Sequence, residues 1–242
     1  MMKAILTGHT RGLGAAIAAQ LLCRDIPVLG LSRSRNHELE NRFKTALQQV
    51  ELDLADAGAV AHWLAGGALR AFVADCDTVL LINNAGTVQP VGPLAMQDPA
   101  AIARAIALNV ATPLMLAAAL AQAASTARER RILHVSSGAG RNAYPGWSVY
   151  CATKAALDQH ARAAVLDNSD GLSICSLAPG VIDTGMQAEI RASSLEQFPL
   201  RERFDALKRD GALTRPEDGA ARLVDYLLSD RFGRDPAADL RS

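Results

Sequence analysis

The chain has 242 residues, carries 25 Lys and Arg against 25 Asp and Glu, and is half hydrophobic with only 4% aromatic residues. That balance excludes a basic nucleic-acid groove or a polybasic membrane patch as the main partner surface. The aliphatic excess of Ala, Leu and Val suits helices laid on a buried parallel sheet.

The first apolar run, Lys3–Thr7, reads as a strand and begins too early for a signal peptide to precede it. Gly12–Cys23 then has helical apolar spacing through Leu13, Ile17, Leu21 and Leu22. Between them lies Thr7-Gly8-His9-Thr10-Arg11-Gly12-Leu13-Gly14. A glycine turn at a first strand-to-helix junction lets the backbone close on a pyrophosphate and aims the free N–H groups of the helix at it. The spacing is not that of a P-loop, which requires Gly-Lys-Ser/Thr.

Pro27–Ser32 is a second strand, followed by Arg33-Ser34-Arg35. An NAD-selecting chain places Asp or Glu here to grip a ribose hydroxyl. Ser32 and Arg33 instead suit a 2′-phosphate, with Arg11 within reach, so NADP(H) is the expected cofactor. Arg35 is read as a solvated charge. Gln49–Leu54 is a third strand. Asp53 at its end is either an acceptor for an adenine amino group or an N-cap for the next helix.

Ala57–Ala74 reads as one helix, Thr78–Asn83 as a buried strand, and Pro99–Ala127 as a long helix. Although apolar, that helix is interrupted by Arg104, Asn109, Thr112 and Pro113, so no membrane span is expected. Arg131–Ser136 is a strand, Trp147–Asp167 a helix, Leu172–Leu177 a strand and Pro216–Ser229 the last helix. Residues 185–213 break the periodicity. They are expected to form a lid of two weakly helical pieces around Phe198 and Pro199. The alternation predicts a single α/β domain, residues 1–242, of Rossmann type: a doubly wound parallel sheet of about seven strands with helices on both faces. The cysteines Cys23, Cys76, Cys151 and Cys175 and the five histidines show no metal-site spacing. The thiols are expected to be reduced and mostly buried in a cytoplasmic protein.

Tyr150 and Lys154 stand four residues apart on a predicted helix and so share a face. A neighbouring ammonium is expected to lower the tyrosine pKa and fit it for acid–base work. With this pair in place the chain resembles the short-chain dehydrogenase/reductase family along nearly its whole length. Thr7–Gly14 resembles the family's glycine motif, Asn83-Asn84-Ala85-Gly86 its N-N-A-G, and Tyr150-Cys151-Ala152-Thr153-Lys154 its Y-x-x-x-K. Asn109 and Ser137 fall where that family has its remaining catalytic residues, and Pro179-Gly180 with Thr184 where it holds the nicotinamide carboxamide.

The resemblance implies an NADPH-dependent carbonyl reductase. Ser137 would orient the substrate carbonyl, Tyr150 donate the proton, Lys154 bind the nicotinamide ribose and tune Tyr150, and Asn109 hold a relay water. Around the phosphates and adenosine, the implied cofactor pocket comprises Gly8, Thr10, Arg11, Gly12, Leu13, Ser32, Arg33, Asp53 and Leu54. Asn84, Ala85 and Gly86 border the adenosine pocket, and around the nicotinamide the cofactor pocket comprises Tyr150, Lys154, Pro179, Gly180, Ile182, Thr184 and Met186. Ser136 is assigned to strand support.

The stretches Ser136–Arg141, Pro145–Cys151 and Ala178–Gln187 further resemble the sepiapterin reductase and benzil reductase branch. That likeness implies reduction of vicinal dicarbonyls, with Ser137, Gly138, Trp147, Tyr150 and Gly180 at the substrate and Asp239 where the branch anchors a pterin ring. Trp147 is equally well read as core packing. The family also implies a homodimer or homotetramer through the helices that begin near Pro99 and Trp147. Two alternatives remain: an NADP-dependent alcohol dehydrogenase working mainly in the oxidising direction, and a non-catalytic NADP-binding sensor, which would have little use for the full set of four.

Overall fold

The computed structural model describes residues 1–241. Its centre is one seven-stranded sheet, ordered β3-β2-β1-β4-β5-β6-β7 and parallel throughout. The strands are β1 (Met2–Thr7), β2 (Val28–Ser32), β3 (Leu47–Glu51), β4 (Thr78–Asn83), β5 (Glu129–Val135), β6 (Leu172–Ala178) and β7 (Ala237–Asp239). The chain runs outward from β1 to β3, then returns to the other side of β1 at β4. This reversal opens a crevice at the carboxyl ends of β1 and β4, where a doubly wound sheet takes its ligand.

Alternate residues of each central strand feed opposite layers. Leu6, Leu80, Ile82 and Leu133 pack with Ile17 and Leu21 of α1 (Gly12–Leu22) and with Leu223, Val224 and Leu227 of α10 (Pro216–Leu228). On the other face lie Ile5, Leu31, Val79, Leu81 and Ile132. They pack against Phe72 of α4 (Ala68–Val73), Leu116 and Leu120 of α6 (Thr112–Ala123) and Ala161 of α7 (Ser148–Ala164). Full burial of each such aliphatic side chain contributes roughly 1.5–3 kcal/mol.

Several elements depart from the sequence expectation. A helix, α2 (His37–Phe43), occupies a stretch to which the sequence pattern assigned no element, capped by Asn36, whose side chain accepts from the Leu39 N–H. Strand β3 starts two residues before the expected Gln49 and ends before Leu54. The predicted helix Ala57–Ala74 is two, α3 (Ala57–Ala65) and α4, because Gly66-Gly67 breaks it and Gly67 takes φ +78°. The predicted Pro99–Ala127 helix ends at Ala123 and divides into α5 (Pro99–Ile106), a wide π turn over Ala107–Ala111, and α6. Residues 185–213 are more regular than anticipated, with helices α8 (Gly185–Ala192) and α9 (Arg201–Arg209). They close over a third apolar cluster built on Trp147, Tyr150, Ile190, Phe198 and Phe204. Two of the four thiols, Cys76 and Cys175, are buried, whereas Cys23 is exposed and Cys151 half-buried.

Candidate active site

The glycine loop sits at the crevice between β1 and β4. Gly8 and Gly12 have φ of +72° and +54°, a region that side chains disfavour. A Cβ on Gly14 would lie 1.9 Å from the Gly8 carbonyl oxygen, so α1 can start here only with glycine. Asn84 locks the loop to β4. Its backbone N–H donates to Thr7 Oγ1 at 2.9 Å, and its side-chain amide donates to the Thr7 and Gly8 carbonyls at 3.0 and 3.2 Å. The α1 N-terminus carries no side-chain cap at Arg11, which leaves first-turn N–H groups turned toward the crevice.

His9 anchors the same loop, and nothing in its sequence context singled it out. Its ring is fully buried against Gly30, where a Cβ would come 2.4 Å from Nδ1. His9 Nε2 bonds Gln49 Oε1 at 2.8 Å, and Gln49 in turn accepts from the Asn36 N–H at 2.6 Å. Burial holds the His9 pKa below its usual value, against the pull of the Gln49 bond.

Beyond β2, Ser32 is buried and its hydroxyl donates to the Ser34 carbonyl at 2.6 Å, shaping the turn. Arg11 and Arg33 are exposed. Arg35 is exposed, as expected of a surface charge, and pairs there with Glu40. Asp53 accepts from the Ala55 N–H at 3.0 Å and pairs with Arg104 at 3.3 Å. Its carboxyl is held below the usual range by that backbone donor, then by Arg104 and Arg33. Asp53 does not cap the next helix. Asp56 does, accepting from the Ala59 N–H at 2.9 Å. Leu54 is buried beside it, its carbonyl accepting from Thr112 Oγ1 at 2.7 Å.

A second group of candidate residues lies where the chain passes from β5 to α7. Tyr150, Lys154, Asp158 and Ala161 fall on one buried face of α7 at helical spacing. Lys154 Nζ donates to the Val135 carbonyl at 2.8 Å and stands 5.7 Å from the Tyr150 ring centre. A Cβ on Gly86 would lie 3.3 Å from Asn109 Oδ1 and 3.7 Å from Lys154 Nζ, so its absence leaves a slot between the two. Asn109 sits in the π turn, a wide turn found often at functional sites. Its side chain is committed to protein: Oδ1 accepts from the Thr87 N–H at 2.9 Å, and Nδ2 donates to the Thr87 carbonyl and Thr153 Oγ1.

The pKa values correct one expectation. Burial pushes the Tyr150 phenol up to about 12, with the facing Ser137 hydroxyl drawing it down. Burial also brings Lys154 down to about 8, against the pull of Asp158. Desolvation disfavours the charged form of each group and here outweighs the opposing pulls of Ser137 on Tyr150 and of Asp158 on Lys154.

Ser137 ends β5's run and accepts from the Ala139 N–H at 3.2 Å. Pro179 is buried, Gly180 has φ +91°, and Ile182 is buried and forms an isolated bridge with Thr214. Thr184 heads α8 and would lie 3.2 Å from a Cβ on Gly12, which brings the start of α8 to the glycine loop. Met186 packs on the lid cluster. Trp147 is 4% exposed, stacks on Phe198 at 4.5 Å and meets the Tyr150 ring edge-on at 5.5 Å. It therefore supports the site from the core rather than forming an open wall. Asp239 ends β7 opposite Ala178 and is gripped by Arg241 at 2.6 and 2.9 Å.

Behind the site lies a polar cluster that no motif announced. Asp158, with 1% of its side chain exposed, accepts from Ser136 Oγ and Ser176 Oγ, both at 2.7 Å, and pairs with Arg141 at 2.9 Å. Arg141 donates onward to the Ala238 carbonyl at 3.0 Å, which ties β7 to the loop after Ser137. Ser136 thus has the supporting role expected of it. The only signal for the cluster in the sequence is the i,i+4 spacing of Lys154 and Asp158.

A model of the short chain dehydrogenase family matches residues 2–195. Benzil reductase ((S)-benzoin forming) from Bacillus cereus is 32% identical over 96% of this chain and 96% of that protein. Sepiapterin reductase from Meriones unguiculatus is 32% identical over 94% of this chain and 92% of that protein. Among solved structures, a short-chain dehydrogenase/reductase from Burkholderia vietnamiensis is 55% identical, with a TM-score of 0.74 over 100% of this chain and 97% of that one. With the fold, the family model and these relatives in agreement, the chain belongs to the short-chain dehydrogenase family.

Proposed function

We propose that the chain is an NADP(H)-dependent carbonyl reductase acting on a ketone or vicinal dicarbonyl, formed as one domain with residues 185–213 covering the substrate. The observation that carries this reading is the meeting of Ser137, Tyr150 and Lys154 at the foot of a glycine loop with open helix N–H groups. The residues fit a dinucleotide. Gly8, Gly12 and Gly86 each leave a place where a Cβ would press on Ala85, Thr184 or Asn109, and the uncapped α1 terminus suits a pyrophosphate. Gly8, Thr10, Gly12, Leu13 and Thr184 would hold the phosphates, and Arg11 and Arg33 a 2′-phosphate. Lys154 and Asn84-Ala85-Gly86 would flank the ribose beside the reacting ring. When bound, the nicotinamide supplies the hydride.

Every other part of the reaction falls to side chains. The Ser137 hydroxyl donates to the substrate carbonyl oxygen and fixes its position. The Tyr150 O–H gives its proton to that oxygen as negative charge builds there. Burial keeps Tyr150 a phenol at neutral pH, the state a proton donor needs. Lys154, below its ordinary pKa yet still largely an ammonium at pH 7, stabilises the phenolate that remains. The relatives named benzil reductase and sepiapterin reductase support a carbonyl beside a second carbonyl or an aromatic ring as the substrate class.

NADPH oxidation with benzil, a small aliphatic diketone and sepiapterin, beside NADH, tests the reading. At least one of these should be reduced faster with NADPH. Tyr150→Phe should lower kcat by roughly 10²–10⁴-fold, the contribution of a positioned acid. Turnover that survives in Tyr150→Phe, or a higher kcat/KM with NADH, refutes the corresponding claim.

A further inference from the structure

We infer that Arg241 is a substrate-binding residue that selects carbonyl compounds bearing a carboxylate near the reacting ketone. The inference rests on the reductase reading above and specifies its substrate.

Strand β7 brings Arg241 to the site. Asp239 is in register with Ala178, and the Leu240 N–H donates to the Ala178 carbonyl at 3.0 Å, so residue 241 emerges beside Pro179-Gly180. There the arginine lies across two glycines. Its Cγ and Cδ are each 3.7 Å from where a Cβ on Gly180 would stand. Its Nη2 is 3.6 Å from where one on Gly138 would stand, and the Tyr144 hydroxyl is 3.9 Å from that same point. Gly138 directly follows Ser137, so the guanidinium and the Tyr144 hydroxyl both lie one residue from the carbonyl-orienting serine. A side chain at either glycine would crowd the arginine.

The chemistry of this corner follows from who holds whom. Asp239 accepts from Arg241 Nε at 2.9 Å, Nη2 at 2.6 Å and the Arg241 backbone N–H at 2.9 Å. Those side-chain bonds use two of the five guanidinium N–H groups and leave three, beside a phenolic O–H. A ligand offering N–H donors to Asp239 must compete with this grip. A ligand offering acceptors meets free donors of fixed planar geometry. The guanidinium fork matches a carboxylate, and the Arg241 side chain is 55% exposed, so such a group can reach it from solvent. The pocket thus carries a proton donor at the reacting oxygen and cationic donors at its outer end. That is the pattern of a 2-oxo acid or a related keto-carboxylate.

The test compares phenylglyoxylate with its methyl ester in the wild type, Arg241→Gln and Arg241→Lys, following NADPH oxidation. The kcat/KM ratio of acid over ester should exceed ten in the wild type. It should fall at least tenfold in Arg241→Gln, chiefly through KM, and recover in part in Arg241→Lys. Asp239→Asn, which removes the competing negative charge, should raise the ratio, whereas a pterin-anchoring Asp239 predicts no gain for the acid. Equal ratios in wild type and Arg241→Gln overturn the inference while leaving the reductase reading intact. If no carbonyl is turned over, the reductase reading fails. Calorimetric titration with phenylglyoxylate then decides this inference by itself: tenfold weaker binding to Arg241→Gln upholds it, and unchanged binding overturns it.

Discussion

Asp158→Asn removes a buried charge while keeping its shape, and so measures the cluster that ties the C-terminal strand to the site. The carboxylate takes two hydroxyl donors on one oxygen and Arg141 Nε on the other, with 1% of its side chain exposed. An amide can keep the hydroxyls on its carbonyl oxygen, but then its N–H groups face the Arg141 N–H groups, donor against donor. Breaking a buried pair costs about 3–5 kcal/mol. Arg141 retains 26% exposure and can regain water, so the lower end, about 3 kcal/mol, is expected for Asp158→Asn. Arg141→Met instead leaves the carboxylate with two hydroxyls and only the Coulombic pull of Lys154, and should likewise cost about 3 kcal/mol. The two changes share one interaction, so the double variant should be milder than their sum by about 2 kcal/mol or more. Urea denaturation of the four proteins of this cycle gives the coupling directly, and a loss of about 3 kcal/mol should lower Tm by roughly 6–12 °C in a chain of this size. A coupling below about 0.5 kcal/mol would falsify the account, because the residues would then act independently despite their 2.9 Å contact.

Phe198→Ala should loosen the lid without unfolding the sheet. Phe198 is fully buried between Trp147 and Phe204, and such a truncation costs about 3–5 kcal/mol in a packed core. Its cluster is separate from the two that flank the sheet, so amide exchange should quicken across 185–213 while β4 and β5 keep their protection. Equal loss of protection in β4 would show that lid and sheet open together. Stability should also fall with acid. Burial lowers the His134 pKa from 6.5 to about 3, helped by His160 and Lys154, and lowers His9 and His160 as well. A folded value below the unfolded one means that stability is complete above about pH 6.5. For His134 it is lost as pH falls from there toward about 3, by up to tenfold in the unfolding equilibrium per pH unit, and His9 and His160 add to the loss in the same direction. His134→Gln should flatten the change in urea midpoint between pH 7 and pH 5, and an unaltered slope would exclude His134 as its source.

What could be read from the sequence and what could not divides along physical lines. Strands β1, β2, β4, β5 and β6 announce themselves because their later residues are buried on both faces and gather short aliphatic runs, such as Ala4-Ile5-Leu6, Val79-Leu80-Leu81-Ile82 and Ile132-Leu133. Strand β7 does not: it has three half-buried residues, Ala-Ala-Asp, and exists because β6 offers it an edge. Helix α2 was invisible for a related reason, since its sequence HELENRF buries only Leu39. The β3 boundary shifted because Leu52 and Leu54, which look like a continuing strand, turn into the core after the strand has ended. At the site, Tyr150 and Lys154 were legible because helical spacing places them on one face. The grip of His9 on Gly30 and the Asp158–Arg141–Ala238 chain were not, because they join residues that only the folded topology brings together.

The pKa of Tyr150 was misjudged for the same kind of reason, since its environment rather than its neighbour in sequence sets it, and the correction bears on the direction of the proposed reaction. Sequence spacing shows that a lysine stands near the tyrosine. Only the fold shows that both are cut off from water, the phenol raised to about 12 and the ammonium lowered to about 8. Hydride addition to a carbonyl leaves negative charge on an oxygen whose basicity approaches that of hydroxide, the conjugate base of water at about 15.7. A phenol near 12 still gives up its proton to such an oxygen with a favourable balance. Burial weakens the phenol as an acid in the forward direction and disfavours, by the same amount, the phenolate that the reverse direction needs. The direction of the proposed reaction is therefore set by the cellular ratio of oxidised to reduced cofactor, with the buried phenol serving as the donor when the reduced form prevails.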